Sequence, residues 1–212
     1  MPYVIRPPRL RTAIAACAAM LLVGAVPAQA AKSSGGSTST EITSPSQCKE
    51  PVLSQPFLYV GDENWYTLAP GQAANNFEAK GWTLSGGASL KSVVLENGKT
   101  GAVVDLPSGS KAVSPNFCIT QDYPKARAIV RNVAGSEGVS FYVSYLGTAS
   151  WENPKNTGQV HGSGTAWTPV TPVNMQPYGV EGWQVVKLTL VPGGTKSDFQ
   201  LYNLYIDPYV RR

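Results

Sequence analysis

Residues 139–145 read VSFYVSY. Val139, Phe141, Val143 and Tyr145 alternate with Ser140, Tyr142 and Ser144, the period-two pattern of a strand with one face in a core and one toward water. Val186, Leu188 and Leu190 alternate in the same way with Lys187 and Thr189. Shorter aromatic and β-branched runs at 57–60, 65–68, 82–90, 102–106, 117–120 and 128–133 repeat the signal, and Ser85-Gly86-Gly87, Asn97-Gly98 and Pro192-Gly193-Gly194 supply turns. Such short strands at close spacing predict an all-β, antiparallel sandwich.

Helices are squeezed out by 21 glycines and 17 prolines, which leave no stretch after residue 30 free of both longer than 195–207. Within that stretch Phe199, Tyr202 and Ile206 also fit a helical stripe. Its β-rich neighbours decide for a strand.

The chain has 212 residues and a formal charge of +4, but its start reads as an export signal. Cationic residues 1–11 precede an apolar run at 13–26, too short to span a bilayer, which needs about 20 apolar residues. Ala28-Gln29-Ala30 then offers the small-x-small pattern of a cleavage site. Ile14-Ala15-Ala16-Cys17 resembles a lipoprotein cleavage box, but the apolar run continues past Cys17, so cleavage after Ala30 is expected. Arg6, Arg9 and Arg11 carry three of the four net charges, which leaves +1 on the mature chain. With no cationic cluster there, nucleic acid and anionic membrane are poor partners, and no membrane insertion of the mature form is expected. The localisation expected is secreted or extracellular, including attachment at the cell wall.

Residues 31–47 read AKSSGGSTSTEITSPSQ, a tract with too little apolar surface to offset its ordering entropy, and predict a flexible leader. The domain is expected over 48–212, as a monomer. In an oxidising compartment the even pair Cys48 and Cys118 predicts a disulfide, worth about 4 kcal/mol in the chain-entropy model. Two separate buried thiols are the alternative.

Two strings go beyond composition. Asn76-Phe77-Glu78 followed by Gly81-Trp82 resembles the opening of carbohydrate-binding-module jelly rolls of the galactose-binding-like group, and 198–208, DFQLYNLYIDP, resembles their last strand. The order Cys48, Gly61-Asp62, Phe77-Glu78, Gly81-Trp82, Ser85-Gly86-Gly87-Ala88, Ser114-Pro115-Asn116-Phe117-Cys118 and Asp207-Pro208 is similar to secreted bacterial single-domain proteins of unassigned function. The resemblance implies a jelly roll of about eight strands and favours binding over catalysis. It also implies a structural calcium at Glu78 and Asp207. Asn203 departs from the aspartate those modules often carry, and two carboxylates fall short of the six to eight oxygens calcium takes. A strand-edge carboxylate satisfied by its neighbours is the other reading of Glu78, and no other cofactor is implied.

Five Trp and ten Tyr against five Phe suit a sugar-binding surface, because a ring face meets the sugar's C–H face while N–H or O–H groups meet hydroxyls. Sandwich cores consume the same rings, and Trp82 and Trp183, opening apolar strands, are expected inside. The segment 151–167, WENPKNTGQVHGSGTAW, reads as a long loop. Either Trp151, Asn153, Asn156, Gln159, His161 and Trp167 form a ring-and-amide platform, or two tryptophans anchor a mobile loop. A second candidate surface is the concave sheet face, where Tyr142 lies between Ser140 and Ser144, with Tyr178 at the rim.

Gln159-Val160-His161 matches a short motif of alginate-lyase jelly rolls, but Arg127 and Arg131 enclose Ala-Ile-Val and no other string of that family occurs. No nucleophile elbow, phosphate loop or His-Glu-x-x-His string is present. The function expected is therefore a secreted, non-catalytic module for polysaccharide or cell-wall glycan. A structural domain that contacts a surface protein is the alternative, and a polysaccharide lyase the remote one.

Overall fold

The computed structural model describes residues 41–120, 124–148, 150–175 and 181–209. The export signal and Tyr178 lie outside the described residues. Thirteen strand segments follow one another: β1 (Thr67–Leu68), β2 (Thr83–Ser85), β3 (Ser89–Val94), β4 (Thr100–Pro107), β5 (Lys111–Val113), β6 (Phe117–Ile119), β7 (Lys125–Ala134), β8 (Val139–Tyr145), β9 (Lys155–Val160), β10 (Thr168–Pro169), β11 (Val173–Asn174), β12 (Gln184–Pro192) and β13 (Asp198–Asp207). They pair antiparallel in two sheets. One runs β10-β7-β13-β4-β3, with β1 on β13 and β11 on β7; the other runs β2-β5-β12-β8-β9, with β6 on β12. The fold is thus the expected all-β jelly-roll sandwich, with the disulfide Cys48–Cys118 present at a Cα–Cα distance of 5.8 Å.

The alternating strands behave as their patterns dictate. Val139, Phe141, Val143 and Tyr145 of β8 meet Val186, Leu188 and Leu190 of β12 inside the sandwich, against Val104, Leu106, Val130, Phe199 and Leu201 of the first sheet. Each of these branched or aromatic side chains contributes about 1.5–3 kcal/mol on full burial. The turn between β3 and β4 is closed by Asn97, whose Oδ1 accepts the Lys99 N–H (2.9 Å), and by Gly98 at φ 75°, where a side chain would be strained.

Strand β13 does not alternate, because it is buried on both faces. Phe199 and Leu201 enter the main core, Tyr202 and Tyr205 a second cluster on the opposite face, and Leu204 and Ile206 the main core again. The parity changes at Asn203 (φ 49°), where the pairing with β7 shifts between Tyr202 and Tyr205. This one-residue bulge puts Phe199, Leu201, Leu204 and Ile206 on one face, so Phe199 and Ile206 of the helix-like stripe share the core while Tyr202 faces away from it.

The second cluster roofs the outer face of the first sheet. Phe57 and Tyr66, from the segment before β1, stack edge-on with one another (5.4 Å), and Phe57 does the same with Tyr205 (5.5 Å). Asp62 pins the roof, accepting hydrogen bonds from the Tyr66 hydroxyl (2.7 Å), the Asn64 N–H (3.0 Å) and the Arg127 guanidinium. Arg127 also lies over the Phe57 ring (4.5 Å) and donates to the Val170 carbonyl (2.6 Å).

Residues 41–47, assigned to the leader by composition, carry a 3-10 turn at Pro45–Gln47, and the Asn116 amide donates to the Ile42 carbonyl (2.7 Å). Trp82 is in the core, its indole N–H donating to the Pro70 carbonyl (2.7 Å). Trp183 is not. It precedes β12 rather than lying within it, stays half-buried and meets Tyr209 edge-on.

Candidate functional site

Among the described residues the outer face of the second sheet is accessible along its middle, while Val185 and Ser144 toward one end of it are buried. Alternation turns Tyr142 of β8 and Thr189 of β12 away from the core, because Phe141, Val143, Leu188 and Leu190 occupy it. The register aligns one continuous cross-strand row, Thr83–Val113–Thr189–Tyr142–Asn156, across five paired strands. At the ~4.8 Å strand spacing this row spans roughly 19 Å. Tyr142 is half-buried, which fixes its ring while leaving part of it accessible; Thr83 and Asn156 are exposed.

The rows on either side are polar. Lys187 faces Ser144 on one side, and Val191, Ser140 and Gln159 line up on the other. Trp151 bridges back to Leu146 beyond the end of β8, and the Lys187 ammonium lies 3.9 Å from its ring centre.

The structure therefore joins the two surfaces considered from sequence, though only in part. The 151–167 segment is not one long loop: its middle forms β9, the sheet's edge strand, whose ladder with β8 holds residues of poor intrinsic strand preference. Gly158, at φ 151° beside the β8–β9 bulge, has room for no side chain, since a Cβ there would meet the Val173 side chain at 2.9 Å. Asn156, Gln159 and Tyr142 thus share one face; Asn153 is exposed just before β9 and His161 just after it.

Trp167 does not join them. It lies on the roofed face of the other sheet, edge-on to Tyr202 (4.9 Å), beneath the Arg131 guanidinium (4.4 Å), and donates its indole N–H to the Val94 carbonyl (3.0 Å). A single platform from Trp151 to Trp167 is not formed. Sequence reasoning passed over Thr83, Val113, Lys187 and Thr189, although the polar half of the 186–190 alternation had marked the last two.

None of β2, β5, β6, β8, β9 or β12 contains Asp, Glu or His; their ionisable side chains are lysines, tyrosines and the disulfide-bonded Cys118. Glu152 lies at the sandwich end, lining a cavity of about 520 Å³ with Tyr145, Trp183 and Thr43. Burial, and then the Glu152 charge, push the Tyr145 hydroxyl up to about 12. Of the residues considered for calcium, Glu78 pairs with Lys80 (2.7 Å) and accepts from the Asn76 amide (3.4 Å), while buried Asp207 accepts the Tyr209 N–H (3.0 Å). Among the described residues no three His, Cys, Asp or Glu side chains gather.

On the roofed side a cleft of about 330 Å³ lies between Tyr59 and the Glu96-Asn97 turn, floored by Tyr202, Asn203 and Tyr205. Burial first, then the Glu96 carboxylate, raise the Tyr59 hydroxyl above its ordinary range.

No protein-family model and no curated protein matches the chain. Among solved structures it is similar to the CBM22-1–GH10 modules of the Clostridium thermocellum endo-1,4-beta-D-xylanase 10B, complexed with xylohexaose (20% identity, TM-score 0.48, 60% of this chain and 26% of that one). It is also similar to the CBM22-1 xylan-binding domain of Paenibacillus barcinonensis Xyn10C (13% identity, TM-score 0.43, 62% and 88%). A third similar structure is TmCBM61 in complex with beta-1,4-galactotriose (11% identity, TM-score 0.38, 68% and 98%). The chain spans about a quarter of the length of the first of these. The first pairs a carbohydrate-binding module with a GH10 module, and the other two are carbohydrate-binding modules.

Proposed function

We propose that the mature chain is a secreted, non-catalytic module that holds polysaccharide on the open face of the second sheet. The observation that carries this reading is the Thr83–Val113–Thr189–Tyr142–Asn156 row. It places a phenol ring among hydroxyl and amide groups on a rigid sheet, over a length that suits an extended chain more than a single sugar. A preordered ring adds stacking surface with little further entropy loss, and the flanking groups give direction. Trp151 closes one end with the Lys187 ammonium against its ring. Work outside the cell follows from the signal read at residues 1–30, and no metal or cofactor is needed for such contact.

Sedimentation of the mature chain with insoluble xylan, cellulose and bacterial wall material tests the reading. Depletion from the supernatant is expected, falling at least about fivefold in Tyr142→Ala, a loss of roughly 1 kcal/mol or more. Failure of every glycan to deplete the protein overturns it.

A further inference from the structure

The open face carries one sign of charge. Its six strands contain Lys111, Lys155 and Lys187 and no carboxylate. Two of these lysines, Lys187 and Lys111, flank the tyrosine row. Lys187 lies one row to one side of Thr189 and Tyr142, opposite Ser144. Ala112 enters the core opposite Leu190, so Lys111 emerges on the open face one row to the other side of Val113. Rows two residues apart are separated by about 7 Å. A chain lying along the row thus has an ammonium on each flank. Lys155, at the start of edge strand β9, stands opposite core-facing Val143 and so lies on the other side of the strand from Asn156 and Tyr142.

The carboxylates bordering this face turn elsewhere. Glu152 lines the end cavity with Tyr145, and Glu137 packs against Gly194 and Gly135 beyond the far end of β8. The roofed sheet is the opposite case, with Asp105 held by Lys91 (2.7 Å) and by the Gln200 amide (2.7 Å), and Asp62 by Arg127. These two carboxylates are neutralised within the protein. The strands of the open sheet hold no acid opposite Lys111 or Lys187, and the Lys187 ammonium lies over the Trp151 ring.

We propose that the open face selects polysaccharides bearing carboxylate groups, that is, uronate-containing chains, with Tyr142 against the sugar ring and Lys187 and Lys111 toward carboxylates on its two sides. This rests on the reading of the face as a glycan site and adds the substrate class. Carboxylates spaced along a polymer engage both flanks at once, so modest individual pairs combine.

The probes are polygalacturonate, the same polymer with its carboxyls methyl-esterified, and dextran sulfate, compared by affinity electrophoresis of the mature chain. The acid form is expected to retard the protein about tenfold more strongly than the ester, with the difference shrinking as salt rises. In the double variant Lys111→Gln/Lys187→Gln, with circular dichroism confirming the fold, the difference between acid and ester is expected to fall within about threefold. Equal retardation by acid and ester overturns the substrate class and leaves the glycan reading standing. An acid preference unchanged in the double variant overturns the placement on this face. Dextran sulfate as effective as polygalacturonate reduces the preference to charge alone and overturns it too. No retardation by these polymers, together with no depletion by any insoluble glycan, removes both readings.

Discussion

The two outer faces of this sandwich are built from similar strands and put to opposite uses. On the first sheet the face is roofed: Phe57, Tyr66, Tyr202, Tyr205 and Trp167 pack against one another, and Arg127 and Asp62 seal them. On the second, half-buried Tyr142 stands among threonine, serine, asparagine and lysine, with no aromatic cluster laid across it among the described residues. Aromatic abundance is therefore a poor guide to where a ligand sits, because rings of the same kind, Tyr66, Trp167, Tyr202 and Tyr205, make a second core. What marks the open face is the polar half of an alternating strand, a weaker feature in the sequence than a tryptophan.

The largest effect that would sharpen this contrast is a loss of stability from the roof. Phe57 is 1% exposed and touches Tyr66, Tyr205 and the Arg127 guanidinium. Phe57→Ala is expected to cost about 3–5 kcal/mol, lowering the melting temperature by roughly 10 °C or more while leaving glycan depletion of the folded protein intact. Tyr142→Ala should do the reverse, costing about 1 kcal/mol or less and abolishing depletion. If the two variants exchanged phenotypes, the assignment of the faces would be inverted.

Next in size is the pH response of the roof. Burial alone would raise the Asp62 carboxyl, but hydrogen bonds from Tyr66, Asn64 and Arg127, with the Arg127 charge, outweigh it and hold the group below its usual range. A carboxyl depressed in the folded state contributes stability above its unfolded value, near 3.9, and loses it as pH falls through the folded value. Asp198 has the opposite sign, raised by burial and by Asp105, so its contribution is lost as pH rises. Acid unfolding followed by tryptophan fluorescence is expected to be less steep below about pH 4 in Asp62→Asn, which is also less stable at pH 7 because the nearly buried Arg127 loses its partner. Identical acid limbs in the two proteins would show that the pair does not pin the roof.

Legibility in the sequence follows the same division. Strands with one wet face, β8 and β12, declared themselves through alternation, and the disulfide through parity and compartment. Strand β13 concealed itself because both of its faces are buried and a bulge shifts its phase, so a period-two search meets a helix-like stripe. Strand β9 concealed itself for another reason: Lys155, Asn156 and Gly158 have little strand preference, and their conformation is imposed by β8. Trp151 and Trp167 look equivalent at the two ends of that segment. The chain crosses from one sheet to the other between them, a long-range property that no local pattern carries.

The smallest expected effect concerns Asn203, where strand β13 changes phase and feeds one face and then the other. At φ 49° a residue with a Cβ pays about 1–2 kcal/mol relative to glycine, less for asparagine. Against that, the Asn203 amide donates to Asn75 Oδ1 (2.9 Å) and its Oδ1 accepts the Asn75 N–H (2.7 Å), two bonds contributing about 0.5–1.5 kcal/mol each. Asn203→Gly removes strain and bonds together and is expected to change stability by less than about 1 kcal/mol in urea. Asn203→Ala keeps the strain without the bonds, so it must be the worse of the two. If alanine is instead as good as glycine, the Asn75 contact rather than the backbone holds the bulge, and the changeover between roofed and open sides is set by side chains.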